Sequence, residues 1–178
     1  MANNSLKLFV STIALVLTGC SSNIEDPIDD NNNQDDSNTV FNLNNTDWLS
    51  LCSFVPESYP TNSDMGSYQT FEFGFNNNID EMYIIARIYD ASNQDCSDTP
   101  DFRFEATYQI TLGDLQVSSG GFDVHPLEGT LIDNPDNVFE DSQSTIIYRD
   151  GDTLYFGIDS EDGDANAINF EEPYSLIQ

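Results

Sequence analysis

From about Phe41 onward, apolar and polar residues alternate in short runs broken by polar turns. Phe71, Phe73 and Phe75 are separated by Glu72 and Gly74, and Phe102, Phe104, Ala106, Tyr108 and Ile110 by Arg103, Glu105, Thr107 and Gln109. Successive side chains of an extended chain point to opposite faces, so a period of two predicts strands with one buried and one wet face. Aromatic and β-branched runs predict further strands over 48–55, 82–89, 115–118, 122–124, 129–132, 144–149 and 153–158. Asp150-Gly151 lies between the last two and marks a tight type I′ hairpin, because both residue types tolerate a positive φ. No stretch carries the three-to-four spacing of an amphipathic helix. Many short strands joined by short loops imply one antiparallel β domain, either a barrel or a sandwich.

The pattern is absent from residues 21–40, which carry six acids, five Asn and no base. Such a stretch buries too little apolar surface to offset the entropy of ordering it, which predicts a disordered acidic tether. About 20 residues of flexible chain reach on the order of 25 Å. Ahead of it, Lys7 precedes an apolar run over 8–17 that is too short to span a bilayer, and small residues follow. That arrangement predicts a secretory signal peptide over 1–19.

The Leu17-Thr18-Gly19-Cys20 ending resembles the lipobox of bacterial lipoproteins. The resemblance implies cleavage before Cys20 and acylation of that residue. With Ser21 rather than an Asp next, it also implies passage to the outer membrane of a Gram-negative bacterium, on either its periplasmic or its surface side. Each buried acyl methylene contributes about 0.8 kcal/mol, so several chains anchor a domain that has no membrane-facing surface of its own. The expected layout is a signal peptide over 1–19, a lipidated linker over 20–42 and a β domain over 43–178.

Charge and cysteine content sharpen this picture. Against 32 Asp and Glu stand 4 Lys and Arg, a formal net charge of -28, which excludes nucleic acid as a partner because phosphate backbones are held by clustered cations. Loss of the signal removes Lys7 and leaves Arg87, Arg103 and Arg149. With Cys20 taken by lipid, Cys52 and Cys96 remain as a pair in an oxidising compartment and are expected to form a disulfide. Closing a loop of about 45 residues contributes about 4 kcal/mol in the chain-entropy account.

With Trp48 and Cys52 on the first strand, Tyr89-Asp90 leading to Cys96, a strand through Tyr108 to Gly113 and a late hairpin from Asp150 to Gly157, the domain resembles the small lipocalin-like barrels of some bacterial lipoproteins. The likeness covers most of 45–160, although Thr46 stands where true lipocalins carry a Gly. It implies an up-and-down barrel of about eight strands, with a β-sandwich as the alternative. It also implies a ligand cavity, for which Phe71, Phe73, Arg87, Phe104 and Tyr108 are the candidate lining residues, and a small apolar ligand or an envelope protein as partner.

Candidates for catalysis are few. The single histidine, His125, has no Gly-x-Ser-x-Gly elbow or other nucleophile framework around it, and one His with two disulfide cysteines does not make a zinc shell. The expectation is a non-enzymatic domain. Calcium is the one cofactor candidate: Asp159, Asp162 and Asp164 gather hard oxygen ligands beside Gly163. The run fails the EF-hand template, because Gly163 at position 6 puts Ile158 at position 1 and Asn169 at position 12. A surface adhesion or structural module with calcium-ordered loops is the alternative function. Arg87 sits among Ile84, Ile85, Ala86 and Ile88; pointing inward it would need a carboxylate or an anionic ligand, and otherwise it snorkels to solvent.

Overall fold

Ten strands follow one another: β1 (Thr46–Ser50), β2 (Ser53–Val55), β3 (Ser67–Phe75), β4 (Glu81–Asp90), β5 (Phe102–Leu112), β6 (Gln116–Val117), β7 (Asp123–Asp133), β8 (Ser142–Asp150), β9 (Thr153–Phe156) and β10 (Tyr174–Leu176). They come from a computed structural model that describes residues 41–56, 66–158 and 166–177, with no helix among them. The signal peptide, Cys20, the linker up to residue 40 and the calcium candidates Asp159, Asp162 and Asp164 lie outside the described residues.

Each long strand pairs antiparallel with its neighbour in the chain, in the order β3-β4-β5-β7-β8-β9-β10. β1 closes the ring, because Trp48 is registered with Phe73 of β3 on one side and with Leu176 of β10 on the other. The result is a closed up-and-down barrel of eight strands, as the alternation and the lipocalin likeness implied, and not the alternative sandwich. β2 prolongs the β3 ladder beyond β1, and β6 pairs with the start of β7.

Three local expectations change. The run over 48–55 breaks into β1 and β2 at Leu51-Cys52, where Cys52 is drawn to Cys96. The runs over 122–124 and 129–132 fuse into β7 across Pro126. Proline has no N–H for a ladder, but the Pro126 carbonyl accepts a 2.7 Å hydrogen bond from the Gly113 amide and its neighbours stay in register with β8. In the β8–β9 hairpin, Gly151 has φ 59° and Asp152 stays outside the positive region, the pattern of a type II′ rather than a type I′ turn.

The expected disulfide is present, with Cys52 and Cys96 Cα atoms 5.8 Å apart. It joins the β1–β2 break to the β4–β5 connection at one end of the barrel. The opposite end carries the start of β1, the end of β10 and the β8–β9 turn. There Arg149 donates to the Asn42 carbonyl, and its guanidinium lies 5.1 Å from the centre of the Trp48 ring.

On the outer wall the Tyr83 ring lies across Gly74, so close that a Cβ on residue 74 would sit 2.0 Å from a ring carbon. Gly74→Ala must push that ring out and break its hydroxyl contacts, with an expected cost of about 1–3 kcal/mol. A denaturation midpoint unchanged from wild type would show that the ring does not depend on this approach.

Candidate functional site

Four of the five predicted lining residues meet inside the barrel. Phe71 and Tyr108 are buried, and Phe73 and Phe104 pack against the same cluster, which also contains Trp48, Phe75, Met82, Ile84, Ile147, Leu154 and Tyr174. Phe73 lies 4.9 Å from Phe156 and 5.0 Å from Tyr174, ring centre to ring centre. The Tyr108 hydroxyl donates to the Glu140 carbonyl at 2.9 Å, so the fully buried ring has its polar end satisfied by the chain itself. Eight strands enclose a lumen about wide enough for side chains or one small ligand, and these residues form a single packed cluster within it.

Arg87 does not join them. Met82, Ile84 and Ala86 of β4 face the core, so the intervening positions face out, and Arg87 is among those. Its guanidinium meets the Glu72 carboxylate at 2.6 Å. The other Glu72 oxygen lies 3.1 Å from the Tyr83 hydroxyl, which is also 2.7 Å from Asp47. Burial and then these two carboxylates push the Tyr83 phenol well above the ordinary tyrosine range. Arg87 thus faces outward, as the snorkelling alternative had it, and is paired there with a carboxylate of the neighbouring strand. The apolar character of both faces of β4 has a similar explanation, because Ile85 lines a cleft of about 290 Å³ on this outer wall with Tyr83, Glu105, Thr107, Asp133 and Pro135. Arg103 pairs with Glu105 on the wet face of β5.

His125 stands at the barrel end beside the first described residues. Its Nδ1 is 2.9 Å from the Gly113 carbonyl, and its ring is centred 4.4 Å from that of Phe41. Among the described residues, no group of three or more His, Cys, Asp or Glu is placed to hold a metal ion.

A second apolar cluster lies on the outer wall of β7, β8 and β9, and the alternation pattern did not reveal it. Val124, Ile146 and Ile168 are buried there, with Tyr148 and Tyr155 packed against them. The one available signal was the β8–β9 register, which puts Tyr148 opposite Tyr155 at positions where a wet face calls for polar residues. Ile168 and Phe170 come from a segment without strand alternation and gave none.

Glu172 follows this segment, and burial, then the neighbouring charge of Glu171, raises its carboxyl above the usual range. The folded protein therefore holds that proton more tightly than the unfolded chain does. The stabilisation is complete below the unfolded carboxylate range, about pH 4, and is lost as pH rises through the folded value. Thermal midpoints should rise between pH 7 and pH 5, and Glu172→Gln should flatten that rise while increasing stability at pH 7. An unchanged slope in the variant would assign the effect to general charge repulsion.

No family model matches the chain, and no curated protein or solved structure matches it.

Proposed function

We propose that this chain is an exported lipoprotein, anchored at the outer membrane of a Gram-negative bacterium through an acylated Cys20, whose barrel is a non-enzymatic interaction module working through its outer surface. The packing of Phe71, Phe73, Phe104 and Tyr108 into one core with Trp48 carries this reading, since it leaves the wall and loops as the surface offered to a partner. The lone histidine is engaged with a backbone carbonyl and an aromatic ring, which fits a structural role. The acidic stretch over 21–40 gives the barrel a solvated, self-repelling spacer from the lipid.

The test has two arms. Cys20→Ser should release the full chain from membranes into the soluble fraction, and continued membrane partition would refute the lipid anchor. A fluorescent fatty acid titrated into the purified domain should show no saturable binding quenched by Trp48; one-to-one binding that Tyr108→Trp blocks would restore a luminal ligand and refute the outer-surface role.

A further inference from the structure

Four aromatic rings from three separate parts of the chain meet on the outer wall over the second apolar cluster. Phe122 is delivered by a tight turn in which the Ser118 amide donates to the Phe122 carbonyl at 2.8 Å and Gly121 adopts φ 83°. Tyr148 and Tyr155 come from facing positions of the β8–β9 hairpin. Phe170 comes from a segment held alongside β9, where the Asn169 amide donates to the Phe156 carbonyl, and tied to the Phe122 turn, where the Ser119 amide donates to the Asn166 carbonyl. Phe170 is centred 5.1 Å from both Phe122 and Tyr155, and Phe122 lies 5.4 Å from Tyr148.

The rings are fixed in position yet only partly covered, with Phe122 still 38% and Phe170 47% exposed. Rigid, half-exposed aromatics gathered from separate segments are the composition of an interface centre, because they give large contact area for little lost side-chain freedom.

The charge around the rings selects the occupant. Asp150 follows Tyr148 by two positions on β8, hence on the same face, and its charge acts on the Tyr148 hydroxyl. The arginines are committed elsewhere: Arg87 to Glu72, Arg103 to Glu105, and Arg149 to the Asn42 and Gly151 carbonyls. A second copy of a chain with net charge -28 is repelled from such a surface, whereas arginine or lysine gains both carboxylate partners and ring faces. We infer that the wall formed by Phe122, Tyr148, Tyr155 and Phe170 docks a basic protein segment that carries apolar side chains between its cations. The inference rests on the outer-surface reading and assigns it a place and a partner chemistry.

The test titrates the full chain with a short labelled peptide alternating arginine and leucine, beside glutamate–leucine and arginine–serine controls. The arginine–leucine peptide should bind, added salt should weaken it, and Phe122→Ser with Phe170→Ser should weaken it at least about tenfold without lowering the melting temperature appreciably. Absence of wild-type binding, equal binding by the double variant, or equal binding of arginine–serine would each overturn the proposal. If Phe54→Ser, near the disulfide end, weakens binding and the double variant does not, the outer surface still acts but this wall is not the site. A luminal ligand in the fatty-acid titration would instead remove the reading on which the inference rests.

Discussion

Replacing Trp48 by alanine is expected to remove about 3–5 kcal/mol of stability, enough to leave a domain of ordinary stability marginal at room temperature. Trp48 sits on the strand that closes the ring, between Phe73 of β3 and Leu176 of β10, with its side chain fully buried. Truncation opens a cavity at that seam and also deprives two partners. The Thr46 hydroxyl oxygen loses the 2.8 Å hydrogen bond from the indole N–H, and Arg149 loses the ring beneath its guanidinium. Trp48→Phe keeps most of the apolar volume and should cost clearly less. Because Trp48 is the only tryptophan, the variants must be followed by circular dichroism during denaturation. A loss below about 1 kcal/mol for the alanine variant would mean that the seam does not rely on this side chain.

Removing the disulfide with Cys52→Ser and Cys96→Ser should cost about 4 kcal/mol, a fall in melting midpoint on the order of 10–15 °C. The cross-link spans a sequence separation of 44 and restricts the unfolded chain far more than it restricts the barrel. Position 96 adds a second effect. Cys96 has φ 53°, a left-handed conformation that disfavours any side chain, and the serine variant keeps that cost without the cross-link. Cys52→Ser with Cys96→Gly should therefore retain about 1 kcal/mol more than the double serine variant. Equal melting of the reduced and oxidised wild-type protein would show that the bond does not contribute to stability.

The strands with strict alternation were legible because one of their faces is buried by a single core. Phe71, Phe73 and Phe75, and Ala106, Tyr108 and Ile110, all lie on the inward side. The pattern was less informative where something covers the outside. Ile85 on β4 and Ile146 on β8 are both buried on the outer wall, Ile85 at a cleft it lines with Tyr83 and Pro135 and Ile146 in a cluster with Ile168 of a non-strand segment, so the apolar runs around them did not indicate which side faced in. That is why Arg87 had no readable orientation: its partner Glu72 is 15 residues away in sequence and adjacent only through the β3–β4 ladder. β10 has three residues, too few for a period of two to stand out. The aromatic wall was hidden for the same reason, since proximity among Phe122, Tyr148 and Phe170 depends on connections that carry no periodicity.

The pairing of β1 with β10 also dictates when the molecule can finish folding. A chain synthesised amino end first can add each of the long strands from β3 to β9 to the sheet as it emerges, through local antiparallel pairings. Until β10 arrives, the growing sheet keeps two open edges, one of them on β1 with Trp48 half sheltered. The closing contact joins the extremes of the described chain and is the slowest kind to form. The barrel is therefore incomplete until its last strand is made, and mutual repulsion of its charges counters aggregation until that strand docks.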